Sequence, residues 1–286
     1  MADPDLVIAA HQGMALAVCF TPDGKRILST GVDATTGIWS ADGEPVGRLK
    51  GHTRSVNSVV TTADSAMVVT GSTDGTVRCW SLADEREELA IHAHRRPVAR
   101  VAISPDQSII ASASYDSRVR LWSFETGEQL ADLNGHPKSV TALAFSPSGD
   151  LLASGGLGGD VVVWDPATGR EVVRLGGHDV VVAGAAFVDA GTLLSLGYDS
   201  VLHTWDTTDW TERHREPIGD TSGFSLSPDN RRLALSSDHH LRVITRDWEV
   251  LADHQLEVKG VYGMAWAADG QRLANAGADG WVRVWG

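Results

Sequence analysis

Serine or threonine, histidine and aspartate recur through this chain at fixed separations. Together they are the residue set of a nucleophilic triad, in which histidine takes the hydroxyl proton and a carboxylate orients the imidazole. The histidines are His11, His52, His94, His136 and His178, with steps of 41, 42, 42 and 42. The hydroxyls are Ser29, Thr70, Ser112, Ser154 and Ser195, each four residues before a carboxylate position held by Asp33, Asp74, Asp116 and Asp199, with Gly158 the exception. Six residues after that position a tryptophan always follows: Trp39, Trp80, Trp122, Trp164 and Trp205. An enzyme needs one such site and not five, so the recurrence itself argues for a structural role.

Other constellations invite a chemical reading and lose it on inspection. The run Gly155-Gly-Leu-Gly-Gly159 suggests a phosphate loop, yet no Lys-Ser/Thr follows it and it joins strand to strand. It reads better as a turn that has lost its aspartate, with Asp160 partly compensating. Asp238-His239-His240, with His203, His214 and His254, offers metal-ligand types. Adjacent histidines on a strand face opposite ways and no ligand spacing repeats, so no metal and no cofactor is expected. His92–Arg100 is a local basic cluster in an acidic chain, readable as a solvated loop or as a rim that attracts an acidic segment.

The elements that position these residues are short strands. From Gly135 to Asp165 the chain runs from a Gly-His pair through three β-rich segments to a Trp-Asp pair, with turn residues between them. The turns carry Thr21-Pro-Asp-Gly24, Thr62-Ala-Asp-Ser65, Ser104-Pro-Asp-Gln107, Ser146-Pro-Ser-Gly149, Ser227-Pro-Asp-Asn230 and Ala267-Ala-Asp-Gly270. Proline presets φ at such corners and Gly or Asn tolerates the left-handed conformation. Two weaker copies complete the series. The sixth has Pro217, Ala234, Asp238 and Ile244 at the His, hydroxyl, Asp and Trp positions; the seventh has Glu257, Asn275, Asp279 and Trp285. No helix-period segment exceeds two turns, and the polar stretch Thr207–Asp220 reads as divergence or a surface loop.

Residues at this spacing resemble the WD-repeat β-propeller family, over essentially the whole chain. The resemblance implies an all-β fold: a seven-bladed β-propeller of four-stranded antiparallel blades, forming a single domain over 1-286. It implies that the N-terminal strand, Leu6–Ala10, completes the last blade against Trp281–Trp285 and closes the ring. It also implies a hydrogen-bonded network in each blade, in which Asp accepts from histidine and turn amides, histidine links to the hydroxyl, and the hydroxyl reaches the Trp N–H. Family members present the His-bearing and Asp-bearing loops on one face. The residues expected there are Tyr115, Leu157, Tyr198, Val180 and Val181, flanked by Arg95, Arg96 and Lys138, with Arg54 beside them in the second repeat. Exposed aromatic and apolar tips rimmed by arginine have the composition of a binding hot spot.

Composition sets the remaining bounds. A net charge of −13 argues against nucleic acid and anionic membranes as partners. With 42% hydrophobic residues the chain can fill a core, and six of its ten tryptophans hold the repeat position. Cys19 and Cys79 form no disulfide framework. The acidic start MADPDLVIAA lacks a signal peptide's basic n-region, so a cytoplasmic location is expected. The function expected is a non-catalytic protein–protein interaction scaffold, monomeric on its own, binding a protein or peptide partner. The competing readings are a metal-dependent propeller enzyme of the lactonase or hydrolase type, and the sensor domain of a larger signalling protein.

Overall fold

Each repeat spells four segments of β-branched, aromatic and small residues punctuated by turns, and each segment forms a strand. The structure is a computed structural model that describes residues 3–219, 221–256 and 260–286. It is all-β, with seven four-stranded antiparallel sheets that are the blades of a β-propeller. In six of them the strands follow chain order. The third blade, for example, runs Val98–Ile103, Ile109–Ser114, Arg118–Ser123 and Gln129–Asn134. The first turns close as their residue types demand. Thr21 Oγ1 donates to Asp23 and accepts from the Arg26 amide (3.0 Å), and the Gly24 amide donates to the Thr21 carbonyl (2.9 Å). The fourth turn position carries positive φ in Gly24, Ser65, Gln107, Gly149, Asn230 and Gly270.

The seventh blade departs from chain order. Its outer strand is Leu6–Ala9, paired antiparallel to Trp281–Trp285 with Leu6 opposite Val284 and Ala9 opposite Trp281. The strand stops one residue short of Ala10, because the Ala10 and His11 amides both turn onto the Gly280 carbonyl (3.1 and 3.0 Å).

The chain divides into two compact units. One comprises Met1–Asp74, Arg78–Glu88 and Thr221–Gly286, the other Gly75–Val77 and Leu89–Asp220. In the first unit Ile8 and Ala10 share a core with Phe20, Ile27, Val282 and Val284, while Trp80 packs with Leu28, Ile38 and Leu49 of the blade before it. The second unit repeats the scheme. Trp164 lies with Leu121 and Leu133, and Trp205 with Val161, Val163 and Leu175. Trp80, Trp164 and Trp205 therefore each join their own blade to the preceding one. A fully buried leucine such as Leu121 or Leu133 contributes about 1.5–3 kcal/mol.

One irregularity recurs. The innermost strand bulges near its start in six blades, at Ala15/Ala17, Val56/Ser58, Val98/Arg100, Val140/Ala142, Val182/Gly184 and Val261/Gly263. After the bulge comes a small residue in every case but one, Arg100.

The pairing of Leu6–Ala9 has a direct test. Deleting residues 1–10 strips a strand from Trp281–Trp285 and exposes its hydrogen-bonding edge, with the loss of buried Ile8. Light scattering and thermal melting of the truncated protein should show aggregation or a broadened transition. A monomer with an unchanged melting curve would refute the closure.

Candidate interaction site

The triad-like sets are assembled in the blades. His11 places Nδ1 3.0 Å from the Asp33 carboxylate and Nε2 2.9 Å from Ser29 Oγ, and the Trp39 indole donates to the same Oγ (2.9 Å). His52, Thr70, Asp74 and Trp80 repeat this geometry, as do His94, Ser112, Asp116 and Trp122, and His178, Ser195, Asp199 and Trp205. Asp33, Asp74 and Asp199 also accept the amide of the residue after the histidine, from Gln12, Thr53 and Asp179. The five hydroxyl residues have no exposed surface. Each hydroxyl already engages an imidazole and an indole, so no substrate can reach it. Burial also pushes the thiols of Cys19 and Cys79 up to about 12, which removes them as nucleophiles.

Electrostatics agree with a neutral imidazole bonded to a carboxylate. Burial holds His11, His94 and His178 below the ordinary histidine pKa despite their aspartates. Burial works against ionisation of Asp33 and Asp116 too, but is outweighed, by Thr35 and His11 in one case and by His94 and Arg120 in the other. Arg120, 3.0 Å from Asp116, and Arg283, 2.6 Å from Asp279, are members of these networks that the repeat spacing does not announce. Their signal is position: each lies four residues after the aspartate.

The fourth blade is different. His136 keeps Ser154 at 2.7 Å, and Trp164 donates to that hydroxyl at 2.7 Å, but Gly158 leaves Nδ1 without a carboxylate. Asp160 does not fill the gap, because its carboxylate lies 3.2 Å from Arg174. Pro137 follows His136, so the amide that would donate to an aspartate is missing together with the aspartate. Burial, reinforced by Arg174, lowers the His136 pKa to about 4. In the seventh blade the Trp285 indole donates to Asn275 Oδ1 (2.7 Å), while Glu257 lies outside the described residues. In the sixth, Ala234 and Ile244 leave no hydroxyl–indole bond to form.

The histidines outside the repeat are dispersed. His203 is buried, stacked on Trp205 (5.3 Å) and hydrogen-bonded to Glu212 (2.7 Å), with Nε2 unpartnered. His214 faces Glu216, His240 faces Asp253, and His254 leans on Trp285. No group of three or more His, Cys, Asp or Glu among the described residues could hold a metal ion. Thr207–Gly219 carries the fifth blade's outer strand, Glu212–Pro217, and Asp220 lies outside the described residues.

The loop tips of the second unit form a continuous system. The residue before each Asp position donates its amide to the loop that follows the histidine: Tyr115 to Pro97 (3.1 Å), Leu157 to Ser139 (2.9 Å) and Tyr198 to Val181 (2.9 Å). Neighbouring loops are tied as well, since Ser139 Oγ donates to the Tyr115 carbonyl (3.3 Å) and Thr141 Oγ1 to the Val182 carbonyl (3.0 Å). Tyr115, Leu157, Val180 and Tyr198 remain 45%, 41%, 42% and 57% exposed, and Val181 is half-buried. Arg95, Arg96 and Lys138 are exposed on the same loops. The corresponding positions before Asp33, Asp74 and Asp279 hold the partly buried Val32, Thr73 and Ala278. Arg54 belongs to the first unit, where it is exposed and its carbonyl accepts from Ser72. Also exposed in that unit are Met14, Tyr262 and Trp281, which the repeat reading passes over, although Met14 sits three residues after His11 as a tip residue should.

Blades of this order and this His–hydroxyl–indole set define a repeat scaffold of the propeller class. The family model "WD domain, G-beta repeat" matches residues 3–40, 43–81, 86–123, 127–165 and 249–286, more than half of the chain, and the chain belongs to that family. The chain is 34% identical over 76 residues to eukaryotic translation initiation factor 3 subunit I of Debaryomyces hansenii, covering 26% of this chain and 22% of that protein. It is 33% identical over 75 residues to apoptotic protease-activating factor 1 of Rattus norvegicus, covering 26% of this chain and 6% of that protein. A 66 kDa stress protein of Physarum polycephalum is 29% identical over 88 residues, 30% of this chain and 14% of that protein. The chain thus aligns with less than a quarter of each of these relatives.

Two predictions follow from the uneven networks. A histidine whose folded pKa is depressed is neutral in both states at pH 7. As pH falls below 6.5 the unfolded chain takes up the proton first, and the resulting loss of stability is complete below about 4. At about 1.4 kcal/mol per pKa unit, His136 makes acidification cost on the order of 3 kcal/mol. Gly158 is not among the positive-φ glycines, and an added Cβ would meet only the Pro137 ring, 3.3 Å away, a contact relieved by a shift of a few tenths of an ångström, so Gly158→Asp should set a carboxylate against Nδ1. An NMR titration should then show the His136 midpoint rising, and the acid loss between pH 6.5 and 4 shrinking; an unmoved midpoint would refute the assignment. The sixth blade should also be the softest, because hydrogen bonds worth about 0.5–1.5 kcal/mol each are absent from it. Hydrogen exchange among strand amides should be fastest between Phe224 and Val250, and equal protection in all seven blades would contradict this.

Proposed function

We propose that this chain is a non-catalytic scaffold that binds a partner protein or peptide through the loop tips of the second unit. One observation carries the reading: Tyr115, Leu157, Val180 and Tyr198 are exposed on loops whose backbones are fixed by hydrogen bonds. Large apolar side chains on a rigid, solvent-facing support have contact area to offer and little conformational entropy to lose. The cations Arg95, Arg96 and Lys138 around them, without an ion pair among the described residues, favour an acidic, partly apolar segment by charge complementarity. The buried hydroxyls and inert thiols speak for binding without chemistry. A relative whose name makes it a subunit of an initiation factor fits a role inside an assembly.

We read the seven repeats as one domain, monomeric on its own, with Arg54 as an outlying part of the cationic rim. The acidic net charge favours neither nucleic acid nor membrane as partner, and we place the protein in the cytoplasm. No helix is long and apolar enough to cross a membrane among the described residues.

Partners captured from native lysate provide the test. Tyr115→Ala with Tyr198→Ala, and separately Arg95→Glu, should each weaken capture by roughly tenfold or more while leaving the melting curve intact. Unchanged affinity in folded variants would move the site to the outer blade edges or the opposite face.

A further inference from the structure

Arg100 is out of place. The position six residues after the histidine holds Ala17, Ser58, Ala142 and Gly184 in the other repeats that keep the histidine. It follows the bulge of the innermost strand, and space there is short. Ala17 and Ala142 are buried in the core clusters that join adjacent blades, and at Gly263, the seventh blade's counterpart, an added Cβ would come within 2.7 Å of the Ala17 Cα. Into this position the third repeat puts an arginine, half-buried, three residues along the strand from the Pro97 carbonyl that holds Tyr115.

No carboxylate pairs with Arg100 among the described residues. Other half-buried arginines have a partner: Arg120 finds Asp116 and Arg283 finds Asp279, while Arg26 and Arg232 donate to the Leu82 and Gly270 carbonyls. Arg100 pairs across the strand with Ala113, two residues before Tyr115, and Tyr198 and Tyr115, the two aromatic tips, are the ionisable groups in its surroundings. Burial pulls its pKa below the ordinary arginine value. A cation partly withdrawn from water without a counter-charge is a net cost to folding. The structure gives no folding benefit in return: the position is filled by small residues in the other repeats. The missing counter-charge is then one that arrives from outside.

We propose that Arg100 anchors an anionic side chain of a peptide lying across Tyr115, Leu157 and Tyr198. The proposal rests on the binding reading above and sharpens it. Arg95, Arg96 and Lys138, none of them in an ion pair among the described residues, draw the segment in by long-range attraction. Arg100 then supplies a planar donor set suited to a carboxylate or a phosphate. The recognised unit is one anion with apolar residues flanking it, not a run of acids.

The experiment uses the full chain and an array of 12-residue peptides with Leu and Tyr around a central Glu, each paired with versions carrying Gln or phosphoserine there. The unsubstituted protein should bind Glu or phosphoserine peptides roughly 10- to 100-fold better than their Gln counterparts, as expected for a charge-assisted bond of about 1.5–3 kcal/mol. Whichever anion binds tighter identifies the source of the charge. Arg100→Gln should abolish that discrimination while keeping the residual binding that Tyr198→Ala removes, and Arg100→Lys should restore part of it. Arg100→Ala, which installs the small residue of the other repeats, should leave the melting temperature unchanged or raised. If peptides bind and Tyr198→Ala weakens them but Arg100→Gln discriminates as before, the Arg100 assignment is wrong and the binding face stands. A lowered melting temperature in Arg100→Ala would likewise make Arg100 a structural residue. If no peptide binds, or none responds to Tyr198→Ala, the face and its anchor both fail.

Discussion

The structure depends on a hydroxyl held between an imidazole and an indole. Ser29, Thr70, Ser112, Ser154 and Ser195 are wholly buried, and each links the loop before the first strand to the third strand of its blade. A buried hydroxyl left unsatisfied would cost about 1–3 kcal/mol, so the network admits essentially one strand order and one register. The tryptophan that serves as its donor also packs on the preceding blade, as Trp164 does against Leu121 and Leu133. One side chain therefore settles both the order within a blade and its fit against the neighbour.

The same geometry explains why a triad composition performs no triad chemistry. Catalysis requires a hydroxyl that a substrate can reach and an oxyanion site beside it. Here each hydroxyl is enclosed, and the carboxylate is saturated by imidazole, loop amides and, in several blades, arginine. The networks tie the loops to the blades, and the loop tips are where the repeats differ. In the second unit those tips are aromatic and apolar, while the matching positions of the first unit hold Val32, Thr73 and Ala278. The scaffold is repeated; the surface it offers is not.

Where a repeat departs from the pattern, the departures are correlated. Gly158 removes the carboxylate of the fourth blade and Pro137 removes the amide that would have bonded to it. Asp160, the nearest acid in the chain, is drawn to Arg174 on the adjoining outer strand instead of to His136. Arg100 departs alone, with no compensating acid among the described residues, and that asymmetry is the ground for the role proposed for it.

The periodicity of His, hydroxyl, Asp and Trp was enough to read seven repeats, and the family resemblance it carries implied four-stranded blades and an N-terminal strand that completes the last. A repeat buries its faces against copies of itself, and the pattern must therefore be written out in full each time. The turn corners were legible for a similar reason, since a positive φ restricts the residue types at Gly149 or Asn230. Even Arg100 could have been noticed as the large residue in a column of small ones. What the sequence alone did not determine was its surroundings: that it is half-buried, that Tyr115 and Tyr198 are the ionisable groups around it, and that no acid among the described residues pairs with it. Nor did it determine that Asp160 would choose Arg174, or that His203 would lie buried against His178 at 4.3 Å. Those outcomes depend on distances between strands and loops far apart in the chain, which spacing along one strand does not encode and only the packed blades decide.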